Sequence, residues 1–155
     1  MKEVIVCAEA SAVHLKNAIV DFLAKEGYEF VDATSRDDLT YIEAGSIIGE
    51  SISKGEYPFG IVMCGTGMGV NLVANRYPGV YCGLCESLHT ARMARAITNC
   101  NVLALGGNIV AHDLARRMVK TFLDTEFGES FPPEFAARLR EKFADMNEVD
   151  RKTHG

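Results

Sequence analysis

The chain has 155 residues, of which 48% are hydrophobic and 24% are charged, and its formal net charge is -5 at pH 7. This length and composition are typical of one globular domain with a sizeable core. The acidic balance and the lack of a Lys/Arg stripe argue against nucleic acid or an anionic membrane as a partner. The first apolar run, Val4 to Cys7, is too short for a signal peptide or a membrane span, so we expect a cytoplasmic protein.

Short apolar runs alternate with helical periodicities along most of the chain. The runs predict buried parallel strands over Glu3–Cys7, Glu29–Val31, Phe59–Cys64, Val80–Cys85 and Asn101–Leu105. Helices are predicted over Val13–Ala24, Ile42–Ile52, Val70–Arg76, Leu88–Ile97 and Ile109–Leu123. This alternation predicts an α/β fold, a Rossmann-like three-layer sandwich around a five-stranded parallel sheet. Right-handed crossovers favour the strand order 2-1-3-4-5.

The end of the chain has a different pattern. Beyond the break at Phe131-Pro132-Pro133, apolar residues recur at helical spacing among charged ones: Phe135, Leu139, Phe143 and Met146. They predict a terminal amphipathic helix that covers its own domain or, as we favour, lies on a second subunit. We therefore divide the chain into a Rossmann-like domain, residues 1-130, and a C-terminal helical extension of it, residues 131-155. Asp150–Gly155 are expected to fray.

The cysteines predict buried free thiols with one exception. Cys7, Cys82, Cys85 and Cys100 lie within apolar runs, whereas Cys64 opens a glycine loop. Cys82 and Cys85 have the spacing of a redox pair, but both lie in a predicted strand, where residues three apart face opposite sides. No second Cys/His pair at ligand spacing accompanies them, so we predict no metal site.

The loop Gly65-Thr66-Gly67-Met68-Gly69 follows the third predicted strand and turns into a helix. Its backbone N–H groups and the positive end of the helix dipole can converge on an oxyanion, and glycine removes the Cβ atoms that would keep a ligand away. The same field favours the thiolate of Cys64 as a base or nucleophile. The pattern therefore predicts proton transfer next to a carbonyl, with the amides and the Thr66 hydroxyl holding the enediolate.

The predicted fold places this loop in a ligand crevice. In an open α/β sheet the crevice lies where the winding reverses, here between the first and third strands, so the loop meets Glu9 at the end of the first strand. Two other interpretations remain: a tight turn without chemistry, and a nucleotide site with Glu86 about twenty residues further on. The spacing G-x-G-x-G differs from the dinucleotide fingerprint, and we predict no cofactor.

Several motifs resemble one enzyme family. Cys64-Gly-Thr-Gly-Met-Gly69, Ala74-Asn75-Arg76 and Pro78-Gly79-Val80 resemble the I-C-G-T-G-x-G, A-N-K and P-G-I-R signature of ribose-5-phosphate isomerase B and the galactose-6-phosphate isomerase subunits. Thr90-Ala-Arg-Met-Ala-Arg95 and Asn101-Val-Leu-Ala-Leu-Gly106 resemble its S-A-x-x-A-R and N-V-L-x-L-G segments. The resemblance spans about residues 3 to 127, in order and with matching intervals.

The resemblance implies a metal-free aldose–ketose isomerase of sugar phosphates. It also implies a homodimer or tetramer whose active site is shared between subunits. Cys64 would be the catalytic base that moves the proton between C1 and C2, and Thr66 would assist at the hydroxyls. The implied substrate-binding residues are Glu9, Gly65, Gly67, Met68, Gly69, Asn75 and Asn99.

The chain also departs from the family. The motif G-x-D-H-x-G reads Cys7-Ala-Glu9-Ala10-Ser-Ala12, so its His is Ala10. In the ring-opening segment R-x-H-N-D-A-N the catalytic His is Ile97. Asn108 stands at the basic position after L-G-x, and the later G-G-R-H segment is absent. Most of the usual phosphate-binding charge is therefore missing.

Three explanations account for these departures. The substrate is an open-chain sugar such as a tetrose phosphate, which needs no ring-opening acid. Alternatively, the chain is a subunit of a hetero-oligomer whose partner supplies the missing groups. In the third explanation it is a catalytically silent sugar- or anion-binding module of the same fold. We favour the first.

Overall fold

The computed structural model describes residues 3–154. In chain order its elements are β1 (Glu3–Ala8), a 3₁₀ turn (Ala10–Ala12), α1 (Val13–Lys25), β2 (Glu29–Asp32), α2 (Tyr41–Ser53), β3 (Phe59–Cys64), α3 (Met68–Ala74), β4 (Cys82–Leu84), α4 (Leu88–Ala96), β5 (Val102–Gly106), α5 (His112–Asp124) and α6 (Pro133–His154). All strand pairs are parallel. The predicted fold class, a five-stranded parallel sheet with helices on both faces, is confirmed.

The order of the strands is 2-1-3-5-4, so the predicted order 2-1-3-4-5 is wrong at one edge. β5 lies beside β3, and Cys64 pairs with Gly106. Burial explains the difference. Every residue of β5 is buried, whereas β4 has three residues, of which Gly83 and Leu84 are only half-buried. A continuous apolar strand is stable inside a parallel sheet, and a short strand with a glycine suits an edge.

The helices divide between the two faces of the sheet. On one face α5 packs against α1 and α4, and the core includes Leu15, Ile19 and Phe122. On the other face α2 packs against α3 over Ile48 and Val70. Alternate strand residues supply both cores, because successive side chains of a strand point to opposite faces. Within residues 3–154 no helix is long and apolar enough to cross a membrane.

Two helices begin at capping boxes on the carboxyl edge of the sheet. Thr40 Oγ1 accepts from Glu43 N at 3.1 Å, and the Glu43 carboxylate accepts from Thr40 N at 3.2 Å. At the start of α4, Ser87 Oγ accepts from Thr90 N at 3.0 Å. These side chains satisfy N–H groups that have no partner within the helix, so they fix where each helix starts.

The end of α6 is ordered by contacts with the loop between α3 and β4. Gly79 N donates to Asp150 Oδ2 at 2.9 Å, and His154 Nε2 lies 2.9 Å from the Arg76 carbonyl oxygen. The expectation that Asp150–His154 fray is therefore wrong, because these polar contacts hold the last turn on the domain. Gly155, the last residue of that expectation, lies outside the described residues.

Aromatic contacts hold the middle of α6 on its own chain. The Phe143 ring lies 5.3 Å from the Tyr81 ring and 5.5 Å from the Phe127 ring, centroid to centroid, in tilted edge-on geometry. Such pairs add to the stabilisation from apolar burial alone. In this structure the terminal helix covers its own domain.

Candidate active site

Backbone hydrogen bonds bring three loops together at the carboxyl edge of the sheet. These loops follow β1, β3 and β5. Glu9 N donates to the Met63 carbonyl oxygen at 2.9 Å, which joins the first loop to β3. Gly107 N donates to the Cys64 carbonyl oxygen at 2.8 Å, which joins the third loop to the same strand from the other side. The winding of the sheet reverses between β1 and β3, where open α/β sheets bind ligands.

Cys64 is the last residue of β3, and its side chain is 5% exposed. The backbone N–H of Gly67 donates to Cys64 Sγ at 3.2 Å. An N–H that points at the sulfur stabilises negative charge there once the thiol has given up its proton. The thiol of Cys64 therefore contacts the glycine loop as well as the core.

The other four cysteines have the environments of core residues. Burial raises the pKa of the Cys7 thiol to about 11 and that of Cys85 to about 11. Burial also raises the pKa of Cys100 and, by more, that of Cys82. All five cysteines are buried free thiols, as predicted for the four in apolar runs, and Cys64 is buried as well. Cys82 and Cys85 contribute to the cores on opposite faces. This arrangement excludes a redox pair between Cys82 and Cys85.

The loop after Cys64 needs glycine at its sharpest point. Gly67 has φ of 80°, and a Cβ atom there would lie 2.6 Å from Leu84 Cδ1 and 2.9 Å from the Leu105 carbonyl carbon. The loop can therefore lie flat against β5 only without a side chain at this position. A side chain at Gly67 would push the loop away from β5 and would shift the N–H group that donates to Cys64 Sγ.

The loop presents hydrogen-bond donors at the start of α3. Met68 N donates to Thr66 Oγ1 at 3.2 Å, so the Thr66 hydroxyl hydrogen stays available for another acceptor. The N–H group of Gly69, which is half-buried, forms no hydrogen bond within residues 3–154. Thr66 and Met68 are exposed. These donors can stabilise an oxyanion formed beside Cys64.

Glu9 and Gly65 lie at the same crevice. The Glu9 carboxylate accepts from Ser11 N at 2.7 Å and from the Ser11 hydroxyl. Asn108 N donates to the Gly65 carbonyl oxygen at 2.9 Å. The structure thus gathers the predicted residues of the first strand and of the glycine loop in one place.

Asn75 and Asn99 lie elsewhere in this chain. Asn75 exchanges two hydrogen bonds with the backbone of Cys82, at 2.8 and 3.0 Å, after α3 ends. Asn99 has φ of 53°, and its Oδ1 accepts from Arg95 Nη1 at 2.8 Å after α4 ends. Both helices run from the carboxyl edge of the sheet to its amino edge, so the residues that follow them are remote from Cys64. Ile97 lies at the same remote edge.

Sequence reasoning did not assign Ser11 or Asn108 to the site. Both are exposed, and their side chains lie on either side of Gly65. Asn108 approaches Cys64 because β5 is the neighbour of β3, whereas the predicted order placed β4 there. The unbroken apolar run of β5 was the available signal for that central position.

No cluster of three or more His, Cys, Asp or Glu side chains that could hold a metal ion exists among the described residues. The crevice offers one carboxylate and one thiol, Glu9 and Cys64, from neighbouring strands. Its donor set suits hydroxyl and oxyanion groups better than a metal ion.

Comparison with known proteins gives one consistent family. The sequence profile of the family described as Ribose/Galactose Isomerase matches residues 4–140. A protein of Clostridium sp. (strain MSTE9) named 4-deoxy-4-sulfo-D-erythrose isomerase is 36% identical over 94% of this chain and 96% of its own length. D-erythrulose-4-phosphate isomerase of Pectobacterium atrosepticum is 31% identical over 82% of this chain and 86% of its own.

A solved structure with the same fold supports the family found from the sequence comparisons. The Clostridium thermocellum ribose-5-phosphate isomerase B superposes with a TM-score of 0.87 at 33% identity, over 97% of this chain and 99% of that one. The match includes the parallel sheet and the helices that position the Cys64 loop. The chain therefore belongs to the ribose/galactose isomerase family of aldose–ketose isomerases.

Proposed function

We propose that this chain interconverts a four-carbon aldose and ketose that carry a terminal phosphate or sulfonate, with Cys64 as the base. The observation that carries the proposal is the 3.2 Å contact between Gly67 N and Cys64 Sγ at the head of a donor-rich loop. The two relatives named for tetrose substrates support the four-carbon length, and one of those names specifies a sulfonate.

The proposed chemistry moves one proton between adjacent carbons. The Cys64 thiolate removes the proton from C2 of the aldose, and the electron pair forms the C1–C2 double bond while negative charge collects on O1. The free N–H group of Gly69 and the Thr66 hydroxyl stabilise that oxyanion. Return of the proton to C1, with transfer of the hydroxyl proton from O2 to O1, gives the ketose and restores the thiolate.

The proposed substrate length follows from the ring-opening position. A five-carbon aldose must open its ring before its C2 proton becomes acidic, and this step needs an acid–base group at the ring oxygen. Ile97 is a hydrocarbon and supplies none. A tetrose with its terminal oxygen phosphorylated, or replaced by sulfonate, cannot close a furanose ring through that oxygen. Its carbonyl is therefore available without catalysis of ring opening.

We also propose that a second copy of this chain completes the active unit. Ile97 and Asn99 cannot reach Cys64 within one chain. Apolar side chains near the glycine loop are 48% to 60% exposed: Tyr41, Ile42, Met68, Leu72 and Ile109. An apolar patch of this kind suits a protein interface. Light scattering on the purified chain would give its mass, and a strict monomer would contradict a shared site.

Proton exchange tests the proposed function directly. In D₂O, NMR would follow deuterium at C1 and C2 of erythrose 4-phosphate, 4-deoxy-4-sulfoerythrose and ribose 5-phosphate. We expect turnover of the tetroses in preference to the pentose. Cys64→Ala should lower the rate by about 10² to 10⁴. The matched control, Cys100→Ala, removes a buried thiol at the amino edge and should retain activity.

Two results would contradict the proposal in different ways. Near-normal exchange by Cys64→Ala would remove the thiol from the mechanism. Inactivity of the wild-type chain on every sugar would instead favour a hetero-oligomeric partner or a silent binding module. Activity that returns only with a second, different subunit would identify the former.

A further inference from the structure

The space above the Cα atom of Gly65 is bounded by two polar side chains from different loops. A Cβ atom at Gly65 would lie 3.0 Å from Ser11 Oγ and 3.2 Å from Asn108 Nδ2. Glycine keeps this space open, and both side chains are exposed. Because Gly65 directly follows Cys64, a ligand group placed here is next to the reacting carbons.

The two side chains have complementary hydrogen-bonding roles. The Ser11 hydroxyl donates to Glu9 Oε1, so its single hydrogen is in use and its lone pairs remain available as an acceptor. The side-chain amide of Asn108 forms no hydrogen bond within residues 3–154, so its N–H groups remain available as donors. A group that donates to Ser11 and accepts from Asn108 satisfies both, and a hydroxyl does so.

The local charge also favours a neutral group. The loop segments 9–12, 65–67 and 107–108 contain no Lys or Arg. Glu9, which holds Ser11, places a carboxylate beside the same space. The negative charge of Glu9 repels a phosphate or sulfonate. It also increases the partial negative charge on Ser11 Oγ, which makes this oxygen a better hydrogen-bond acceptor. These segments of the chain therefore supply no cation that could neutralise a terminal phosphate or sulfonate in this space.

We propose that Ser11 and Asn108 determine specificity by binding the hydroxyl on C3 of the substrate, the carbon next to the reacting pair. This inference rests on the proposed function for the identity of the substrate. The Glu9 carboxylate acts as a positioning group, because it holds the Ser11 hydroxyl with its lone pairs toward the ligand. Cys64 and its loop perform the chemistry, and Ser11 and Asn108 select the sugar.

Binding of unreactive ligands tests this pair separately from catalysis. Erythritol 4-phosphate and its 3-deoxy form lack a carbonyl, so calorimetry can measure their dissociation constants on the active protein. For the wild type we expect the 3-hydroxyl to tighten binding by about 5- to 100-fold, from two hydrogen bonds. Ser11→Ala and Asn108→Ala should each lower that ratio by about 3- to 10-fold.

A matched control and the catalytic assay separate the possible outcomes. Ser53→Ala removes a hydroxyl at the far end of α2 and should leave the ratio unchanged. A ratio that is the same in Ser11→Ala, Asn108→Ala and the wild type overturns the inference, whether or not the enzyme turns over tetroses. A ratio that falls as expected, in a chain without isomerase activity, supports the pair and overturns the proposed function instead. If the wild type turns over tetroses but binds both alditols equally, the inference fails and the proposed function stands.

Discussion

Replacement of Gly67 by alanine should destabilise the protein through two separable effects. The first is conformational, because φ of 80° is unfavourable for a residue with a Cβ atom. The second is steric: the new Cβ would lie 2.9 Å from the Leu105 carbonyl carbon and 2.6 Å from Leu84 Cδ1. The Leu84 methyl can move aside, but the β5 backbone is held in the centre of the sheet.

The two effects have different sizes. A left-handed backbone costs about 1–2 kcal/mol for a residue other than glycine, and an extra methyl group in a packed region costs about 1–3 kcal/mol. We therefore expect Gly67→Ala to lower the free energy of unfolding by about 2–5 kcal/mol, which corresponds to a Tm lower by about 4–20 °C for a chain of this size. Thermal unfolding followed by circular dichroism would measure it.

Gly55→Ala supplies the matched control. Gly55 has φ of 74°, and a Cβ atom there would have no neighbour within 4 Å. This variant should show the conformational cost alone, about 1–2 kcal/mol. Equal Tm values for Gly55→Ala and Gly67→Ala would refute the argument that the glycine loop is pressed against β5.

Three further predictions concern other parts of the molecule. Asn75→Ala should lower the free energy of unfolding by about 1–3 kcal/mol, because the N–H and C=O groups of Cys82 lose their hydrogen-bond partner. The same variant should leave KM unchanged, and a raised KM would show that Asn75 binds substrate. Burial raises the pKa of Asp32, but hydrogen bonds, the largest from Lys16, outweigh it and hold that pKa below its ordinary value. The wild type should therefore be more stable than Asp32→Asn in urea near neutral pH, and the difference should shrink as the pH falls below about 5; a constant difference would contradict this. Ile97→His should raise kcat/KM for ribose 5-phosphate by less than about tenfold, since ring opening by one acid does not bind the pentose, and efficient turnover would contradict the tetrose argument.

The pattern of apolar residues predicted the strands and helices well, because buried positions are the ones that carry apolar residues. β3 begins and ends where its apolar run does, and α1 extends only one residue beyond the predicted Ala24. The handedness of the crossovers could not order β4 and β5, because both connections can be right-handed. Their different burial, continuous in β5 and partial in β4, decides the order.

The candidate site was predictable where its residues are consecutive. Cys64 and the loop after it could be found because glycine spacing and the preceding strand lie together in the sequence. Asn108 could not, since its proximity to Cys64 depends on β5 being the neighbour of β3. Ser11 was missed although the predicted neighbours β1 and β3 bring the loop that contains Glu9 to the site. Asn75 and Asn99 were inferred from motif position alone. A motif does not show that a helix carries the following residue to the far edge of the sheet.

The two edge strands limit how the sheet can associate with other chains. β4 has only three residues, and the backbone of Cys82 is already hydrogen-bonded to the Asn75 side chain. β2 has a carboxylate at each end, Glu29 and Asp32. Short edges and charged edges both resist the addition of a foreign strand, which is how many β-containing proteins avoid aggregation. We therefore expect that copies of this chain do not associate edge to edge through their sheets. We expect specific assembly to form instead through helices and loops, where most of the exposed apolar side chains lie.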